Sequence, residues 1–152
     1  MSQTTIDEID KKILEMLQKD GRMSYSKIAR ILGLSEATIH LRVKKLREKG
    51  ILKGFIAVVD PEKVGKDVAA IILAKIDADK YKETVEKIAQ FDDVYEVYDV
   101  TGDFSTVLKV RVSSKDELAE LLDKLGKIEG VRETYTMYIL RTIKEEKTIK
   151  LD

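Results

Sequence analysis

Residues 35–45, SEATIHLRVKK, set hydroxyls, one imidazole and several cations at helical spacing. Those groups suit hydrogen bonds to base edges and ion pairs with phosphates, or merely solvate a helix face; the spacing of the motif around them decides for DNA. If Ile39, Val43 and Leu46 face inward, then Glu36, Ala37, His40, Leu41 and Lys44 face outward, with Arg42 and Lys45 at the edges. With the first-turn hydroxyls of Ser35 and Thr38, these are the candidate DNA-contacting residues. Cations continue at Arg47, Lys49 and Lys53. Leu41, apolar and outward, either meets a thymine methyl or packs on another helix. His40 is the single histidine in a chain without cysteine, so it has no partners for a metal site; it bonds a base edge or a phosphate, or is solvated.

That surface must be held by a second helix. Over Tyr25–Lys44, YSKIARILGLSEATIHLRVK, the small Ala29 lies where two helices approach and Gly33 can take the φ > 0 of a tight turn. Ile39 returns to the shared core beside Ile28, Leu32 and Leu34. This is helix-turn-helix spacing, in which the second helix enters the DNA major groove. A preceding helix is predicted from the Thr5/Glu8 capping spacing and the stripe Ile9, Ile13, Leu14 and Leu17, ending at Gly21. Ser24 and Ser35 cap the second and third helices, and Gly50 closes the third. Ile51–Val59 reads as a strand, a wing or a link, and the lone proline, Pro61, marks a domain boundary: 1–60 for the DNA-binding part with linker 51–60, and 61–152 for the rest.

Charge agrees with that division. Through Asp60 there are 12 Lys and Arg against 8 Asp and Glu; beyond it the balance reverses to 16 against 20. A basic excess beside the candidate groove-reading helix favours phosphate contact. The absence of cysteine excludes disulfides and thiol catalysis and suits a cytoplasmic protein, and no apolar run is long enough to span a membrane. No nucleophile–base pair, glycine-rich phosphate loop or metal cluster is legible, so no catalytic residue, metal or cofactor is assigned and the chain is not read as an enzyme.

From Val68 the pattern changes. Strands are predicted at Val68–Ile76, Val94–Thr101, Phe104–Val112 and Val131–Thr142, with a Gly102-Asp103 turn. Helices are predicted at Tyr81–Phe91 and from Ser114 through Leu125 to Gly126. The order β-α-β-β-α-β is ferredoxin-like, making the whole chain α+β. The residues after Thr142 are an edge strand or a tail. Both faces of the strands are apolar: Val68, Ala70, Ile72 and Ala74 on one, Ala69, Ile71 and Leu73 on the other. Helices cover one face only, so a second copy of the sheet is expected on the other, making a homodimer with two groove-reading helices.

The chain resembles the Lrp/AsnC family of transcription regulators over nearly its whole length. The resemblance rests on Asp7-x-x-Asp10 with Ile13-Leu14, on the Gly33-Leu34-Ser35 turn, on Arg42, Leu46 and Gly50-Ile51, and on Thr101-Gly102-Asp103. It implies a winged helix-turn-helix joined to a ferredoxin-like, ACT-like βαββαβ effector domain. It also implies double-stranded DNA as partner, dimers assembling to tetramers or octamers, and a free amino acid as effector. Carried over by position, the effector residues are Tyr98, Asp99, Thr101, Gly102, Asp103, Thr134 and Thr136. A carboxylate there would meet the ligand's ammonium, and turn amides and threonine hydroxyls its carboxylate. Ser105 stands where many members carry an acidic residue, a departure that bears on which ligand fits and on whether one binds. The alternative is an architectural protein that binds DNA with little sequence preference and no effector.

Overall fold

A computed structural model describes residues 5–152. The chain divides into two compact units, one running through Val58 and taking in Lys144–Asp152, the other spanning Val59–Ile143. The last nine residues, assigned from sequence to the second domain, therefore group with the first.

The first unit holds three helices: α1 (Glu8–Lys19), α2 (Tyr25–Leu32) and α3 (Glu36–Glu48). Ile13, Leu17, Ile28, Ala29, Ile39 and Val43 form its core. The cap of α1 is Asp7, not Thr5: Asp7 accepts from the Asp10 amide at 2.8 Å, and Asp10 accepts from the Asp7 amide at 3.2 Å. Both pairs have the right spacing, and the Asp7/Asp10 pair satisfies two orphan donors reciprocally. Residues 51–60 form no strand. Ile51 and Leu52 close the end of α3 by donating to the Leu46 carbonyl, and residues 53–60 are exposed and without regular structure. A strand exists only where a second edge takes its amides and carbonyls, and among the described residues none pairs with this segment. Phe55 is fixed nonetheless: its ring lies against Gly21, and the Arg47 guanidinium lies 5.9 Å from its centroid. In the closing segment, a side-chain amide substitutes for a strand edge: Gln18 donates to the Ile149 carbonyl at 3.0 Å and accepts its amide at 2.7 Å.

The second unit is β1 (Val68–Ile76), α4 (Tyr81–Ala89), β2 (Val94–Asp99), β3 (Thr106–Val112), α5 (Lys115–Gly126) and β4 (Val131–Tyr138). The sheet order is β2-β3-β1-β4 with every pair antiparallel, the ferredoxin-like arrangement. Ala70, Ile72, Leu108 and Val110 are buried under Ile88 of α4 and Leu118, Leu121 and Leu125 of α5. On the other face Ile71 and Leu73 are half-buried and Tyr98, Tyr135 and Met137 exposed. Several boundaries differ from the sequence reading, and α4 ends at Ala89, not Phe91. Gly126 belongs to α5, β4 stops at Tyr138, and β2 and β3 are joined by residues 100–105 instead of a two-residue Gly-Asp turn. The Val100 amide donates to the Ser105 carbonyl at 2.8 Å and closes that loop early, with Gly102 at φ 110° inside it. Among the described residues no helix is long and apolar enough to cross a membrane.

Candidate functional site

The turn that presents α3 is built from short-range chemistry. Gly33 sits at φ 67°, ψ 35°, and both its amide and that of Leu34 donate to the Ala29 carbonyl, which reverses the chain within one turn. The Ser35 hydroxyl accepts from the Thr38 amide at 3.1 Å and lies 2.7 Å from the Thr38 hydroxyl. Ser35 and Thr38 are thus engaged in capping α3. Ile39, Val43 and Leu46 are buried, and Glu36, Ala37, His40, Leu41, Lys44 and Lys45 are exposed on the opposite side. The rigid core thus presents a continuous polar and cationic surface carrying one large apolar side chain, Leu41.

Two groups on that surface have partners along their own helix. His40 Nε2 lies 3.5 Å from Glu36 Oε1, and its ring meets Tyr25 edge-on with centroids 4.5 Å apart. Lys44 lies 3.9 Å from Glu48, an exposed pair that a phosphate can displace at small cost. Arg42 is different. Its Nη1 donates to Asp7 Oδ2 at 2.6 Å and to Asp10 Oδ1 at 3.1 Å, so it is already committed to α1. Sequence reasoning missed this contact, although the Asp7-x-x-Asp10 spacing placed both carboxylates on the first turn of α1.

The Arg42 hydrogen bond, then the Asp10 amide, hold the Asp7 carboxyl below its ordinary range. The unfolded chain therefore takes up a proton first as pH falls. The stabilisation from this contact is complete above the ordinary carboxylate pKa and is lost as pH falls through the lowered Asp7 value. Asp7→Asn is expected to flatten that part of the acid limb of thermal stability, below about pH 4. Melting temperatures of both proteins across pH check it, and parallel acid limbs would contradict the assignment.

The effector candidates fall into two groups. Asp99, Thr101, Gly102 and Asp103 lie at the end of β2 and in the loop after it. Thr134 and Thr136 lie on β4, at the opposite edge. The register runs Asp99, Thr106, Ala74, Thr134 across the four strands, so the two edges are separated by three strand spacings, roughly 14 Å. One amino acid does not bridge Asp99 and Thr134 within a chain. Tyr98 points to the other face, in the row Tyr98, Val107, Leu73, Tyr135.

Beside Asp99 the structure adds a group that the sequence did not flag. Thr106 is fully buried, and its hydroxyl lies 3.1 Å from the Tyr81 hydroxyl. Burial raises the Tyr81 phenol above its ordinary value and the Asp99 carboxylate raises it further, against the Thr106 hydrogen bond. The Tyr81 phenol thus stays protonated beside Asp99, within the same hydrogen-bonded group as Thr106. Phe104, from the same loop, reaches across the open face to Tyr135, with ring centroids 6.3 Å apart, and the Lys75 ammonium lies 4.8 Å from the Phe104 centroid.

Comparison with known proteins covers both units. Residues 6–47 match the family model described as AsnC-type helix-turn-helix domain, and residues 69–149 the one described as Lrp/AsnC ligand binding domain. The HTH-type transcriptional regulator FL11 of Pyrococcus furiosus is 48% identical over 140 residues, 92% of this chain and 93% of that protein. The solved structure of E. coli AsnC aligns with a TM-score of 0.89 at 34% identity, covering 95% of this chain and 98% of that one. Transcriptional regulator NMB0573 of Neisseria meningitidis, solved as an L-Met complex, aligns with a TM-score of 0.90 at 25% identity, covering 97% and 98%.

Proposed function

Because this chain belongs to the Lrp/AsnC family of transcriptional regulators, we propose that it reads a specific DNA sequence through α3 and that a free amino acid changes its assembly and DNA affinity. Like its matched relatives it is a regulator and not an enzyme. The observation that carries the DNA half is the exposed cationic face of α3 on a helix-turn-helix core. Ala37, His40 and Leu41 are placed to meet base edges, and Lys44 and Lys45 to meet phosphates.

For the effector half, support comes from the ligand-binding family match and from the neighbour that binds L-Met. The separation of Asp99 from Thr134 across the sheet favours a site completed by a second copy, one chain supplying the end of β2 and another the β4 edge. Ligand binding is then linked to assembly: an amino acid that joins copies favours the joined state, and DNA and ligand affinities couple reciprocally. Dimers form through the open sheet face, and dimers join into tetramers or octamers.

The test is binding to DNA upstream of the protein's own gene, against scrambled DNA at the same salt, with and without the twenty amino acids. Sequence-preferring binding that shifts with the pool supports this reading, and dividing the pool names the ligand. Binding indifferent to sequence and pool replaces it with an architectural role. Lys44→Ala is expected to weaken binding equally on both DNAs and to reduce the salt slope by about one. A slope equal to wild type removes Lys44 from the contact set.

A further inference from the structure

We propose that Arg42 is a positioning residue: its guanidinium clamps the middle of α3 to the capped N-terminus of α1 and so sets the attitude of the groove-reading helix, without touching a phosphate. The proposal rests on the DNA-binding reading of α3. Three observations carry it. First, both hydrogen bonds of Nη1 go to carboxylates that are themselves fixed, since Asp7 and Asp10 cap α1 reciprocally. The clamp therefore joins two rigid bodies, a helix terminus and a helix midpoint. Second, the Arg42 side chain is 27% exposed and that of Asp10 18%, against 72% for Lys44 on the same helix. Arg42 is withdrawn from the surface that Lys44 presents. Third, the charges count against a phosphate. One guanidinium between two carboxylates is a net anion, so a phosphate approaching Arg42 meets repulsion as well as attraction. Lys45 and Lys49 line the same groove and are the cations a phosphate finds first.

The chemistry explains why an arginine stands here. Its planar fork holds N–H bonds in fixed directions, whereas an ammonium is a mobile point charge on a flexible stem. A lysine keeps the charge and gives up the fixed geometry. Positioning and phosphate contact consequently leave opposite signatures. A lost phosphate contact weakens all sequences alike and lowers the salt slope by about one. A mispositioned helix loses base contacts and keeps its phosphates, so discrimination falls while the slope stays.

The experiment measures affinity of the full-length protein for the preferred DNA and for scrambled DNA across a salt series, for wild type, Arg42→Ala, Arg42→Lys, Asp7→Asn and Lys44→Ala. The expected result is a loss of about tenfold in the specific-to-nonspecific ratio for Arg42→Ala, Arg42→Lys and Asp7→Asn, the worth of roughly one mismatched base pair, with the slope on scrambled DNA unchanged. Lys44→Ala gives the reverse pattern. Asp7→Asn keeps a good cap on α1 and keeps Arg42 itself, so it carries the test if Arg42→Ala does not fold. An unchanged ratio with a slope lower by one in Arg42→Ala, and wild-type behaviour in Arg42→Lys and Asp7→Asn, overturns the clamp and makes Arg42 a phosphate contact. Wild-type protein that binds neither DNA overturns the reading of α3 itself, and the clamp's role with it.

Discussion

Gly130→Ala is expected to destabilise the second unit by about 3 kcal/mol and to lower its melting temperature by roughly 15 °C. Gly130 sits at φ 101°, between α5 and β4, where an L side chain is strained whatever space surrounds it. Space is lacking as well. A Cβ there would collide with the Thr84 hydroxyl and lie 3.3 Å from Thr84 Cβ and 3.4 Å from Lys80 Cβ. Thr84 cannot swing aside, because it is buried and its hydroxyl donates to the Glu129 carbonyl at 2.8 Å. The backbone is held too, by the Asp77 amide donating to the Gly130 carbonyl. Gly65→Ala supplies the control: φ is 83° there, but nothing lies within 4 Å, so only the conformational strain of about 1 kcal/mol is expected. The difference between the two variants measures the clash. In a Thr84→Ala background the Gly130→Ala effect should shrink, since the nearest colliding atom is gone. Calorimetry of the four variants checks this, and equal losses for Gly65→Ala and Gly130→Ala would mean that the Thr84 contact yields without cost.

How much was legible in the sequence depends on how local each interaction is. The helix-turn-helix needs only Ala29, Gly33 and Ile39 at the right offsets, and the observed turn uses them: Ala29 and Ile39 are buried and Gly33 is left-handed. The inward stripe of α3 was readable for the same reason, since Ile39, Val43 and Leu46 recur on one helical face. The cap of α1 was less so, because Thr5/Glu8 and Asp7/Asp10 offer the same spacing two residues apart. Partners distant in sequence were not legible at all. Nothing in DKK or LRV says that Arg42 reaches two carboxylates 35 and 32 residues away. The effector candidates show the same limit on the scale of a sheet. Alternation shows which side chains share a face, but not that β2 and β4 stand at opposite edges. The 51–60 segment marks a further limit: it is rich in strand formers, and among the described residues no strand edge pairs with it.

Leu73→Glu is expected to leave the protomer folded, to reduce the assembled protein to single chains, and to weaken operator binding by about a hundredfold. Leu73 lies at the centre of the open face, between Val107 on β3 and Tyr135 on β4, with Tyr98 one strand further out. In one chain that side chain is only half-buried, so a carboxylate placed there still reaches water and costs the fold little. Against a second sheet the same carboxylate would be desolvated among Ile71, Val107 and Tyr135, with Lys75, the next side chain along that face of β1, already paired to Glu133. The aromatic rim argues that this face meets something: Tyr98 is 52% and Tyr135 57% exposed in the single chain. They flank aliphatic residues, as at the centre of a protein–protein interface. The effect on DNA comes from valence. In the proposed dimer, two groove-reading helices tied together would engage two half-sites, the second at the high effective concentration the tether sets, and a single chain would keep only one. Sedimentation of wild type and variant separates the steps. A monomeric variant with wild-type operator affinity would detach DNA binding from the dimer, a variant of wild-type size would move the interface off this face, and Val107→Glu should repeat whichever result Leu73→Glu gives if the face acts as one surface.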